Sequence, residues 1–176
     1  ATNLVVGTDS NGTYADVFLY DIQADTLKLV SHLPGQPTVS ANSSSLSPVI
    51  SADGAMVTFY SNATNLVTGT DTNNATDVFV YNTLTDVVSL VSHLPGQPNV
   101  TGNAPSEFPV ISGNGNFVAF RSRATNLVSG TDTNGTNYDV FLYDVSAGTV
   151  QLVSHQPAAA TTSSSGTSYY PVLSHD

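Results

Sequence analysis

The segment Ala1-Thr-Asn-Leu-Val5 returns as Ala63-Thr-Asn-Leu-Val67 and again as Ala124-Thr-Asn-Leu-Val128. A tandem repeat of about 61 residues therefore limits what this chain can fold into more than any other feature. The copies agree well beyond these anchors. Gly7-Thr-Asp-Ser-Asn11 matches Gly69-Thr-Asp-Thr-Asn73 and Gly130-Thr-Asp-Thr-Asn134, and Asp16-Val-Phe-Leu-Tyr20 matches Asp77-Val-Phe-Val-Tyr81 and Asp139-Val-Phe-Leu-Tyr143. Leu29-Val-Ser-His32 matches Leu90-Val-Ser-His93 and Leu152-Val-Ser-His155. The repeats run 1–62, 63–123 and 124–176, the last one truncated, within a single segment 1–176.

Each period carries four strand signals, labelled a to d by their order. Strand a is expected at Pro109-Val-Ile-Ser112, followed by the tight-turn pair Asn114-Gly115, with Asp53-Gly54 in the copy before. Strand b is expected at Phe117–Ser122, rich in aromatic and β-branched residues. Strand c is expected at Asp139–Asp144, and strand d at Thr149–Ser154 after an Ala147-Gly148 turn, with period-two alternation. No segment has helical periodicity, and Gly or Pro punctuates every connection. The expectation is an all-β chain of four-stranded antiparallel β-propeller blades, about three repeats forming an incomplete ring. A β-helix coil is far shorter than this period, and an immunoglobulin-like module needs roughly 100 residues and about seven strands.

The pattern Pro-Val-Ile-Ser-x-Asp/Asn-Gly-x-x-Val-x-Phe-x-Ser, then Ala-Thr-Asn-Leu-Val-x-Gly-Thr-Asp-x-Asn, then Asp-Val-Phe-x-Tyr, resembles the TolB-like, WD40-like PD40 propeller repeats of secreted bacterial proteins. The resemblance covers essentially the whole chain. It implies a propeller and says little about function, because such propellers are scaffolds for many purposes.

In that frame the chain enters between strands b and c at Ala1 and leaves after strand a, at Pro171–Asp176; the counterparts of residues 54–62 are missing from the last period. Ala1 is not an initiator methionine, which suggests a leader or a longer upstream chain. Propellers have about four to eight blades, so three are not expected to close a ring. The missing blades come from a longer chain, from a second copy that completes a six-bladed ring, or from neighbours in an array. The isolated chain is accordingly not expected to be a stable monomer.

Charge narrows the partners. Thirteen acidic residues face three basic ones, Lys28, Arg121 and Arg123, for a net charge of −10. Nucleic acid binding needs a basic footprint that this sequence lacks. An anionic membrane surface would repel it, and no apolar run is long enough to insert. With no cysteine the chain depends on no redox compartment. Thr, Ser, Asn and Gly carry its polarity, a composition associated with exported bacterial surface proteins. The expected setting is extracellular or at the cell surface, with the periplasm as the alternative.

Between strands b and c lies the strongest chemical signal: Asp9, Asn11 and Asp16, then Asp71, Asn73 and Asp77, then Asp132, Asn134 and Asp139. Ca²⁺ takes six to eight oxygens from carboxylates, amides and carbonyls, and an Asp-x-Asn pair can aim two of them at one centre while the strand-opening Asp closes the cage. Six of the thirteen acids sit in these loops. The spacing is not that of an EF-hand, and the same residues equally suit Asx-turns that bond their own backbone. Both readings stay open. The middle loop is one residue shorter and lacks the glycine, so it is the weakest candidate.

The remaining constellations favour structural roles. His32, His93 and His155 recur once per repeat on the outermost strand, too far apart for a zinc site, and are expected to make structural hydrogen bonds or lie exposed; His175 reads as a surface variation. Tyr20, Tyr81 and Tyr143 are expected to pack rather than to form a sugar platform. Leu33-Pro-Gly-Gln-Pro37 and Leu94-Pro-Gly-Gln-Pro98 read as loops on one face of the disc, where binding usually lives. Arg121 and Arg123 replace Tyr60 and Asn62, and are expected to pair with a neighbouring acid or anchor an anion. Six Asn-x-Ser/Thr sequons, at Asn11, Asn42, Asn62, Asn74, Asn99 and Asn134, are largely compositional.

No Gly-x-Ser-x-Gly elbow or cysteine nucleophile is present, and the best acids recur in every blade. The sequence therefore reads as a non-catalytic propeller module for protein or ligand binding or self-assembly, stabilised by calcium. Its expected partners are itself or the missing blades of a longer chain, and a protein or glycan ligand. Two alternatives stand beside it: the propeller part of a larger secreted enzyme, either a peptidase or a polysaccharide lyase, and a building block of an extracellular fibre.

Overall fold

The computed structural model describes residue 4 and residues 6–174. The anchor residues 1–3 and 5, and the His175 substitution, lie outside the described residues. Among the described residues, alternating apolar residues flanked by Gly, Asp and Asn turns give sixteen strands and no helix.

The first repeat contributes a c–d pair, β1 (Phe18–Asp21) and β2 (Thr26–Leu29), antiparallel with Phe18 opposite Leu29. A small hairpin follows, β3 (His32–Leu33) with β4 (Gln36–Ser40). The first complete blade is β5 (Ser45–Ile50), β6 (Met56–Ser61), β7 (Asp77–Asn82) and β8 (Val87–Leu90), hydrogen-bonded in that order. A second hairpin, β9 (His93–Leu94) with β10 (Gln97–Thr101), leads to the next blade: β11 (Ser106–Ile111), β12 (Phe117–Ser122), β13 (Asp139–Asp144) and β14 (Thr149–Leu152). A third hairpin, β15 (His155–Gln156) with β16 (Ala159–Ser163), ends the strands. The four-stranded antiparallel sheets are the propeller blades the repeat implied, and among the described residues no sheet closes on itself.

Packing lies between successive sheets. β7 is buried on both faces. Its Phe79 and Tyr81 join Val17 and Val30 of the preceding c–d pair, while its Val78 and Val80 join Phe120, Phe141 and Tyr143 of the following blade. Period-two alternation makes this possible, since successive side chains point to opposite faces. Register aligns the aromatics: Phe59 pairs with Phe79 and Phe120 with Phe141, each as a stacked ring pair at 5.7 Å.

Strands b and c match the sequence expectation. Strand a differs, beginning at Ser106 rather than Pro109, because a bulge lies between Glu107 and Val110, with Phe108 in the left-handed region at φ 51°. Leu46 to Val49 repeats it, with Ser47 at φ 51°. The Leu-Pro-Gly-Gln-Pro loops also differ: each forms the turn of a hairpin, with Gly35 and Gly96 at φ 68°.

Candidate metal-binding loops

Each b–c loop docks on the hairpin that follows its own blade. Thr8, Thr70 and Thr131 form isolated parallel bridges to Val39, Val100 and Thr162. The docking is tight at the repeated glycine: a Cβ on Gly69 would meet the main-chain oxygen and the Cβ of Asn99 well inside contact distance. Gly69→Ala is therefore expected to lower stability by about 1–3 kcal/mol or more, read as a lower urea midpoint. Gly166→Ala, where a Cβ would meet nothing within 4 Å, is the near-neutral control. Equal midpoints for the two variants would reject this docking.

The docked loops bring together every residue of the Asp-x-Asn pattern with the strand-opening Asp. Asp9 Oδ1 accepts the main-chain N–H groups of Asn11 (3.1 Å) and Gly12 (2.8 Å), an Asx-turn. Asp71 and Asp132 do the same for residues 73–74 and 134–135. Asn11 Nδ2 then donates to Asp16 Oδ1 at 3.0 Å and to the Ala41 carbonyl at 2.8 Å. Asn73 reaches Asp77 at 3.4 Å and Asn134 reaches Asp139 at 3.2 Å. Hydroxyls complete the shell: Ser31, Ser92 and Ser154 donate to Asp16, Asp77 and Asp139 at 3.3, 3.0 and 2.7 Å. These serines belong to the repeated Leu-Val-Ser-His motif. That repetition was their only signal in the sequence.

Burial and like charge act together on the strand-opening acids. Burial pushes the Asp77 carboxyl up to about 7, Asp71 adds to the shift, and the hydrogen bonds from Ser92 and Asn73 oppose it. Asp16 and Asp139 are raised for the same first reason, with Asp9 and Asp132 as the like charges.

The three loops are not equivalent as cation sites. Asp9 Oδ2, Asn11 Oδ1 and Asn134 Oδ1 are buried acceptors without a hydrogen-bond partner. Asn73 Oδ1 accepts the Ala75 N–H at 2.7 Å instead. Beside Asp132 and Asp139 there is a cavity of about 20 Å³, enough for one water or one ion; its counterpart beside Asp71 and Asp77 is about 10 Å³. In the middle loop Asn74 takes the left-handed position at φ 50° that Gly12 and Gly135 occupy in the others. The first and third loops leave an amide oxygen uncommitted. The middle loop uses its amide oxygen internally. Among the described residues no three His, Cys, Asp or Glu side chains converge, so amide and main-chain oxygens would have to contribute.

The other candidates fall into structural roles. His32 and His93 are buried between blades, each with Nδ1 within 2.8 Å of the next residue's carbonyl, and His155 is exposed. Tyr81 and Tyr143 are buried, whereas Tyr20 is exposed. Arg121 pairs with Glu107 at 3.0 Å and lies over the rings of Phe108 (4.3 Å) and Tyr138 (4.4 Å). The Ala-Thr-Asn anchors clip neighbouring units: Asn42 exchanges hydrogen bonds with Thr64 and Asn65, as does Asn103 with Thr125 and Asn126.

No protein-family model matches the chain, and no curated protein matches it. Solved structures do. A TolB candidate of Agrobacterium tumefaciens aligns at 18% identity and TM-score 0.47, over 78% of this chain and 40% of that one. TolB of Acinetobacter baumannii aligns at 16% and 0.45, over 84% and 28%. Dipeptidyl peptidase 4 of Porphyromonas gingivalis aligns at 15% and 0.48, over 86% and 24%. The chain thus spans between about a quarter and two fifths of the length of these proteins. With TM-scores below 0.5 these similarities assign neither a family nor a function. No helix among the described residues is long and apolar enough to cross a membrane.

Proposed function

We propose that the chain is a non-catalytic β-propeller module acting outside the cell or at its surface, which holds a protein partner or further blades of its own kind. In this reading Ca²⁺ rigidifies the first and third b–c loops, held by Asp9, Asn11 and Asp16 and by Asp132, Asn134 and Asp139. The observation that supports it is the set of buried, unpartnered oxygens in those two loops, beside carboxylates that only neutral groups contact. A buried acceptor left unsatisfied costs about 1–3 kcal/mol, which a bound cation or an ordered water would relieve. The recurrence of one polar arrangement blade after blade suits a scaffold better than a reaction centre.

A thermal melt in millimolar Ca²⁺ and again in excess chelator tests the calcium reading. A cation at a thousandfold its Kd adds about 4 kcal/mol per site, a shift of several degrees. Asp132→Ala is expected to remove one site's share of the shift, and Asp71→Ala to leave it unchanged. Identical melts in calcium and chelator would reduce all three loops to hydrogen-bonded turns. An equal shift with Mg²⁺ would reject the calcium assignment.

A further inference from the structure

Inside the chain, each unit meets the next through an edge-on His–Tyr pair, and at the first junction an aspartate joins it. The His32 ring stands edge-on to Tyr81 at 6.0 Å, and its Nε2 lies 3.6 Å from Asp86 Oδ1. That carboxylate accepts the Tyr81 hydroxyl at 2.6 Å. His93 meets Tyr143 in the same edge-on way at 5.7 Å. Beside the histidines, Val30 and Val91 are fully buried in the two inter-blade cores.

The two outer faces of the stack carry the unmatched halves of this contact. On one, His155 is exposed where His32 and His93 are 2% and 3% exposed, and Val153 is 50% exposed where Val30 and Val91 are at 0%. On the other, Tyr20 is 52% exposed where Tyr81 is at 0%, yet its hydroxyl already donates to Asp25 at 2.6 Å, the bond Tyr81 makes to Asp86. Asp25 shares the left-handed backbone of Asp86, at φ 53° against 59°, so the turn is set in the same form.

We infer that these faces are the two sides of a head-to-tail interface between copies of this chain, with His155 and Val153 of one copy seated on Tyr20 and Asp25 of a second. The occupant follows from the molecule itself, since His32, Val30, Tyr81 and Asp86 already make this contact between the first two repeats. The inference rests on the reading of the chain as a module that holds blades of its own kind, and it names the residues that do so. Because the two faces differ, the contact is heterologous: a dimer leaves one face of each kind free, and growth continues until a ring closes or a filament forms.

Sedimentation velocity of the 176-residue chain over a concentration series tests the interface, with Val153→Asp and Tyr20→Asp run alone and mixed in equal amounts. The wild type is expected to associate with rising concentration. Each variant alone is expected to remain monomeric to at least about tenfold higher concentration. The mixture is expected to give a one-to-one dimer and nothing larger, because each variant keeps the face the other has lost. His155→Ala with Asp25→Ala is the milder pair, and circular dichroism checks that all four variants keep the β spectrum. A monomeric wild type, association that survives in either variant alone, or a mixture without the dimer would overturn the interface. A calcium-responsive, cooperative melt of a chain that sediments as a monomer would overturn it while leaving the scaffold reading standing. Loss of the β spectrum in the wild type would remove both.

Discussion

Phe120→Ala is expected to lower the unfolding free energy by about 3–5 kcal/mol, the range for removing a fully buried aromatic ring. Phe120 has no exposed surface, stacks on Phe141 and shares its cluster with Val78, Val80 and Val91 of the blade before. A blade of this kind has no core of its own, because its apolar residues are divided between two neighbours. Emptying the Phe120 position therefore weakens one sheet and also its coupling to the preceding blade. In stacked repeats that coupling makes unfolding cooperative. Urea denaturation should show a lower midpoint together with a broader transition. Phe108→Ala, at a ring 39% exposed, should cost far less. A loss below about 1.5 kcal/mol for Phe120→Ala would mean that the blades are not packed through this ring.

What the sequence disclosed follows from where its signals are local. Strands b and c are runs such as Phe117–Ser122 and Asp139–Asp144, whose alternation encodes two buried faces, and the structure reproduces their limits. The start of strand a is hidden because Glu107 and Phe108 sit in a bulge, where two residues face one and period-two reasoning fails. The hairpins have no local strand signal, since Pro37 and Pro98 argue against a strand. Their pairing with His32 and His93 is settled by tertiary contacts. At the b–c loops the Asp and Asn residues of the repeated pattern lie within hydrogen-bond reach of one another. The sequence could not say that each Asn amide points its nitrogen at the strand-opening Asp, nor that Ser31, Ser92 and Ser154 join them. Nor could it show that His32 and His93 leave the outermost strand to open separate hairpins, β3 and β9, and are buried between blades. That depends on the angle at which two blades meet, which no single repeat encodes.

Asp77 makes the stability of this chain depend on pH in a direction opposite to that of most carboxylates. It is 2% exposed, touched only by the neutral donors Ser92 and Asn73, and burial holds its carboxyl at about 7, against about 3.9 in an unfolded chain. Between those two values the folded chain carries a proton that the unfolded chain has lost. Stability therefore rises as pH falls from about 7 toward 4, is fully present below the unfolded value, and is lost as pH climbs through 7. A shift of this size corresponds to on the order of 4 kcal/mol as an upper bound. Asp16 and Asp139 act in the same direction. Asp53 and Asp144 are lowered by hydrogen bonds at exposed turns, and oppose the trend only in more acid solution. Asp77→Asn keeps the shape of the side chain without the charge, so it should flatten the profile and be more stable than the wild type at pH 8. The middle loop has its amide oxygen engaged by Ala75, so the wild-type slope should persist when calcium is added. A slope abolished by calcium would instead make Asp77 a ligand, and the middle loop a site equal to its neighbours. A wild-type profile flat from pH 4 to 8 would mean that Asp77 keeps its charge when buried, through contacts stronger than the two it makes here.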